Sequence, residues 1–178
     1  MRVPKLREQY VRSFCYRVVP GSQPCHIPLQ PLAGAPESEC FSVVPEQVRR
    51  CGGEQVVGWA IWEWRKVMIE AEFHAVWRDP DGNLVDVTPK PFEMPKILFL
   101  PDPNRRYEGV QVDNVRHPLR KDPRIKRFID LAERLFALLN EGDLAHQYGD
   151  ITSPEIRQVR HEMGQIQMAL AERYGRPH

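Results

Sequence analysis

A thiol nucleophile needs a base to take its proton and a carboxylate to orient that base. The chain carries these three residue types close together as Cys40, His74 and Asp86. His74 and Asp86 fall in EAEFHAVWRDPDGNLVDVTP, Glu70 to Pro89. From Val67 to Arg78, successive side chains alternate: Val67, Ile69, Ala71, Phe73, Ala75 and Trp77 share one strand face, and Met68, Glu70, Glu72, His74 and Val76 share the other. Leu84 to Thr88 is the return strand. Between them, Asp79-Pro80-Asp81-Gly82-Asn83 puts a proline where φ must be negative and a glycine where φ must be positive. That chemistry predicts the loop Pro80-Asp81-Gly82, with Trp77 opposite Val85, Ala75 opposite Val87 and Val76 opposite Asp86. His74 and Asp86 then share a face as diagonal neighbours. A shorter Asp-Gly loop would slip the register by one and mix the apolar and polar faces, which burial resists.

The thiol comes from the preceding stretch, Cys40 to Gly53. Val44, Val48 and Cys51 stand at helical spacing, Pro45 suits a first turn, Ser42 suits a cap, and Gly52-Gly53 makes a stop. Cys40 is therefore expected at or just before a helix N-terminus, where backbone N–H dipoles favour a thiolate. Cys25 is the rival nucleophile, but Cys25-His26 precedes the helix-poor Ile27-Pro28-Leu29 and has no such dipole. Cys51 falls at the wrong end of its helix, and Cys15 reads as a small buried hydrophobe. The oxyanion donor stays open among the backbone N–H groups of Cys40 and Phe41, the side chains of Gln30 and Gln23, and the indoles of Trp59 and Trp62. Trp59, Trp62, Glu72 and Gln30 are groove candidates, although the tryptophans read more readily as core and rim than as a ligand cage, and Glu72 as a solvated or groove-lining residue.

Two other classes use the same residues. Cys25, His26, Cys40, Cys51 and His74 could supply zinc ligands, but no C-x-x-C pair occurs. A non-catalytic interaction module is the other, with His74, Glu70, Glu72 and Asp86 forming a salt-linked solvent face.

The succession of Cys40 with its helix and Gly52-Gly53, then Val57-Gly58-Trp59, His74-Ala75-Val76-Trp77, and Asp81-Gly82-Asn83-Leu84-Val85-Asp86-Val87-Thr88-Pro89 resembles the core of the transglutaminase-like branch of the papain-like cysteine superfamily. The resemblance covers Cys40 to Pro89, under a third of the chain. It implies a cysteine at a helix start with histidine and aspartate on adjacent antiparallel strands, and thiol chemistry on amides: hydrolysis, deamidation or acyl transfer. No cofactor is needed for such a reaction.

The rest of the chain must position these groups. Gln55–Trp64 and Lys96–Leu100 read as strands, the latter bounded by Pro95 and Pro101, and the alternation Tyr10, Arg12, Phe14, Tyr16, Val18 makes Met1 to Val19 a strand candidate. Pro20 to Ser38 is irregular and Pro-rich, and is expected to lie against the site. Asp102 to Asp122 reads as a polar connection. Apolar faces mark helices over Pro123–Glu141 and Pro154–Tyr174, the second capped by Ser153 or Thr152 and stopped at Gly175. The fold expected is α+β: an antiparallel β-sheet core with a Cys-bearing helix on its N-terminal side and a C-terminal helical hairpin. Residues 1–101 would form the core, 102–122 a connection, and 123–178 a two-helix extension packed on the core.

A chain of 178 residues can bury such a core. Lys and Arg number 25 against 24 Asp and Glu, so there is no general electrostatic case for nucleic acid or an anionic membrane. No apolar run approaches the ~18 residues of a membrane span, and Met1-Arg2-Val3-Pro4 does not begin an apolar leader. A cytoplasmic protein with four free thiols is expected. Its partner would be a peptide or protein amide substrate, and the apolar C-terminal helices admit a homodimer.

Overall fold

The computed structural model describes residues 1–141 and 153–177. The chain is α+β, with elements in the order α1 (Gln9–Val18), β1 (Cys25–Pro28), α2 (Cys40–Cys51), β2 (Glu54–Trp64), β3 (Met68–Arg78), β4 (Leu84–Val85), β5 (Lys96–Pro101), β6 (Val115–Pro118), α3 (Pro123–Leu139) and α4 (Pro154–Tyr174). They group into two compact units that are not consecutive stretches of chain. One comprises Val3–Trp62 and Ala71–Glu108; the other comprises Met1–Arg2, Glu63–Glu70 and the described residues from Gly109 onward.

In the first unit the strand order is β1-β5-β2-β3-β4. Cys25 lies opposite Phe99 in β1–β5, Trp59 opposite Leu100 in β2–β5, and Trp77 opposite Val85 in β3–β4, all antiparallel. The last pairing is the register that the Pro80-Asp81-Gly82 loop dictates. Gly82 takes φ +90°, the Asp79 N–H donates to the Asn83 carbonyl at 2.9 Å, and the Asp79 carboxylate accepts the Asn83 N–H at 2.7 Å. Beyond β1 and β4 the chain pairs once more, in parallel, with Leu29 opposite Asp86. The Asp86 N–H donates to the Pro28 carbonyl at 3.0 Å, and the Asp86 carbonyl accepts the Gln30 N–H at 2.8 Å. The strand order thereby returns to β1, and the sheet nearly closes into a barrel.

Helix α2 docks on this sheet because Cys40, Val43 and Val44 bury against Ala75, Val85 and Val87. Its end is fixed too. Gly52 and Gly53 both have positive φ, the Trp77 indole N–H donates to the Gly52 carbonyl at 2.9 Å, and a Cβ on Gly53 would overlap the Arg78 carbonyl oxygen.

Several expectations are corrected. The N-terminal segment is helical, not a strand: Val11, Phe14 and Cys15 bury one helical stripe, while Tyr10 and Tyr16 of the apparent alternation are exposed. Helix α2 begins at Cys40 itself, so Pro45 lies inside it and Ser42 is no cap; the Ser42 hydroxyl donates back to the Glu39 carbonyl at 3.0 Å. The Pro-rich segment contains β1, the expected connection contains β6, and the expected return strand narrows to Leu84–Val85.

In the second unit β6 pairs with β3. Helices α3 and α4 run antiparallel, joined by ion pairs Arg127–Glu162 and Arg134–Glu155 over a core of Leu131, Leu138, Ile156 and Val159. Helix α3 stops at Leu139, and Asp122 caps it by accepting the Arg124 N–H at 2.9 Å. Ser153 caps α4, accepting the Ile156 N–H at 3.1 Å; the alternative cap Thr152 lies outside the described residues. Trp64, Val67 and Met68 pack on Ile125, Ile129 and Leu170. No described helix is long and apolar enough to cross a membrane.

The glycines test the docking of α2. Gly82→Ala, with open space around it, should cost about 1–2 kcal/mol for its left-handed backbone alone. Gly53→Ala should cost clearly more, because its methyl group must also push Arg78 away. Chemical denaturation of the two variants checks the order.

Candidate active site

Strand alternation and the hairpin register put His74 and Asp86 on one face, and the sheet buries that face. His74 is 2% exposed and Asp86 is not exposed at all. The His74 Nε2–H donates to Asp86 Oδ2 at 3.0 Å. The other carboxylate oxygen, Oδ1, accepts the Thr88 backbone N–H at 3.0 Å. The Cys40 thiol is among the groups close enough to act on the imidazole. Cys40 is the first residue of α2 and is 5% exposed. Its place is set by Phe41, whose ring stacks on Tyr107 with centroids 4.0 Å apart and meets Phe73 at 5.2 Å. Leu32 and Ala35 of the Pro-rich segment pack over the Cys40 cluster.

Burial is the largest influence on His74 and works against its charged form. The Asp86 carboxylate, through charge and hydrogen bond, and the Cys40 thiol together override burial and the nearby Lys90 cation, holding the imidazole at a pKa raised to about 9. Asp86 is the mirror case. Burial favours its protonated form, but His74, Lys90 and the Thr88 N–H hold it below the ordinary carboxylate range. At neutral pH the site therefore contains an imidazolium against a carboxylate.

The other candidates divide. Cys25 sits in β1, half-buried, and burial pushes its thiol up; burial takes Cys15 to about 11. Neither rival is disposed to form a thiolate, and Cys51 is exposed at the far end of α2. The Trp59 indole donates to Asp102 at 3.0 Å and the Trp62 indole to Glu72 at 2.6 Å, so neither N–H is free for an oxyanion, and Glu72 is a partner within the fold. Gln30 and Gln23 have exposed side chains; Gln30 contributes its backbone N–H to the Asp86 carbonyl. Among the described residues the backbone N–H groups of Cys40 and Phe41 have no backbone partner ahead of the helix, while those of Ser42 and Val43 are bonded to Glu39. Among the described residues no set of three His, Cys, Asp or Glu side chains is grouped as metal ligands would be.

Sequence reasoning missed Lys90. Its Nζ lies 3.3 Å from Asp86 Oδ2. The signal was present in the spacing, since Asp86, Thr88 and Lys90 continue one alternation.

No protein-family model matches this chain, and comparison with curated proteins and with solved structures finds no match.

The buried pair makes stability pH-dependent. Because folding raises the His74 pKa, its contribution is complete below the ordinary value of 6.5 and is lost as pH rises through about 9. Because folding lowers that of Asp86, its contribution is present above 3.8 and is lost as pH falls through the lower folded value. Asp86→Asn should cost about 3–5 kcal/mol near pH 6, as breaking a buried pair does, and should flatten the decline toward pH 9.5. Urea unfolding of both proteins at the two pH values checks this.

Proposed function

We propose that the chain is a cysteine-dependent amide-bond enzyme in which Cys40 is the nucleophile, His74 the acid–base group and Asp86 the residue that orients it. The observation that carries this reading is a single one: the buried His74 ring is bonded to a buried carboxylate and is also acted on by a thiol at a helix N-terminus. Asp86 occupies Nε2, which leaves Nδ1 to serve the thiol. The resemblance to the transglutaminase-like branch points the same way.

The reacting form is the Cys40 thiolate beside the His74 imidazolium. The sulfur attacks the amide carbon, forming the C–S bond and moving the carbonyl electron pair onto oxygen. On this reading the N–H groups of Cys40 and Phe41, which make no backbone–backbone bond outside the helix, would stabilise that oxygen. The C–N bond then breaks and His74 gives its proton to the departing nitrogen. The neutral imidazole takes a proton from water, or from an acceptor amine, as it attacks the thioester. The acyl group leaves as acid or new amide, restoring thiolate and imidazolium. Ammonia, an amine or a peptide amine can be the leaving group, so the same steps serve deamidation, hydrolysis and acyl transfer. Four unpaired thiols suit a reducing cytoplasm.

The burial of Cys40 is the observation that favours a second reading, a non-catalytic interaction scaffold held together by the same network. Site-resolved alkylation by iodoacetamide from pH 4 to 9 separates the two. A catalytic Cys40 reacts faster than the exposed Cys51 despite its burial, and His74→Ala slows it by about 10²-fold, the scale of a lost acid–base partner. A scaffold gives Cys51 as the fastest thiol and no effect of His74→Ala.

A further inference from the structure

A lysine ammonium is seldom withdrawn from water unless it is paired. The Lys90 side chain is 7% exposed, and its Nζ stands 3.3 Å from Asp86 Oδ2 and 3.4 Å from His74 Nε2. The Nε2 proton is committed to Asp86, so the lysine and the imidazole are not bonded to each other; they are two donors meeting one carboxylate oxygen. We propose that Lys90 is a positioning residue for the Cys40–His74–Asp86 relay, sharing the oxygen that His74 uses and so limiting how firmly Asp86 holds the imidazolium. The inference rests on the reading of those three residues as a relay.

The geometry gives Lys90 two effects. It immobilises the carboxylate: Oδ1 is held by the Thr88 N–H and Oδ2 by both Lys90 and His74, on a residue whose backbone is bonded to Pro28 and Gln30. It also places a second positive charge beside Nε2. The groups that act on the imidazole are the Cys40 thiol from α2 and, following β4, Asp86 and Lys90. Lys90 alone among them opposes the imidazolium by charge. An imidazole paired only with a buried carboxylate would keep its proton too firmly to give it to the departing nitrogen. A general base works best when its pKa lies near the working pH, and Lys90 draws His74 in that direction.

The test follows the His74 imidazole ¹⁵N resonances through a pH titration of the full chain, with the Cys40 alkylation profile measured alongside. The proteins compared are wild type, Lys90→Met, Lys90→Gln and Lys90→Arg. Lys90→Gln keeps a donor for Asp86 without the charge, and carries the test if Lys90→Met does not fold. The neutral variants should raise the His74 midpoint by about one pH unit, as removal of a nearby like charge does. The alkylation profile should move with it, and Lys90→Arg should keep the wild-type midpoint. A folded neutral variant with an unmoved or lowered His74 midpoint, beside an activated Cys40, overturns the role of Lys90 alone. A moved midpoint with Cys40 no more reactive than Cys51 overturns the relay, and with it the positioning role.

Discussion

A carboxylate sealed from water without partners costs several kcal/mol, and Asp86 is completely sealed. Three donors meet it: the His74 ring, the Lys90 ammonium and the Thr88 backbone N–H. Each comes from a place that the sheet must supply. His74 requires the correct hairpin register, and Thr88 and Lys90 require the chain after β4 to continue its alternation. The backbone of Asp86 is tied on both sides to the extension of β1. The ionised state of one side chain thus constrains the hairpin, the sheet closure and the segment that follows.

The thiol is delivered by different means. At the start of α2 Glu39 offers no side-chain cap, and the polar contacts there are local, from Ser42 and Val43 back to the Glu39 carbonyl. Packing holds the helix start in place: Val43 and Val44 on Ala75, Val85 and Val87, and Phe41 between Tyr107 and Phe73. At the other end, Gly53 allows a backbone approach to Arg78 that no side chain would permit. A helix clamped at both ends is a rigid lever, and its fixed arm carries Cys40 as its first residue, packed on Ala75, Val85 and Val87. Rigid support of this kind holds a catalytic geometry more closely than a loop does.

How much of this was legible follows the range of the interactions. The hairpin was readable because turn chemistry and alternation agree at Asp79 to Val85, and both are local. The helix start was not. Pro45 carries a strong first-turn signal, yet burial of Cys40, Val43 and Val44 extends the helix ahead of it. The N-terminal segment misled for a related reason: Tyr10, Phe14 and Val18 fit both an alternating and a helical pattern, and Val11 and Cys15, buried beside Phe14, decide between them. Lys90 sits between Pro89 and Pro91, where the reading of regular structure had stopped. The parallel pairing of Leu29 with Asp86 has no local signal, because it joins segments from opposite ends of the strand order.

That last pairing also orders events in time. Helix α2 and the β2–β3–β4 stretch are built largely from neighbours in the chain, whereas the pairs that close the sheet, Leu29 with Asp86 and Cys25 with Phe99, join distant segments. Distant pairs must first meet the entropy of loop closure and so form late. The backbone bonds that tie Asp86 to Pro28 and Gln30 are therefore expected among the last to form. Under the proposed relay, a nascent or partly unfolded chain would hold a thiol without an oriented base.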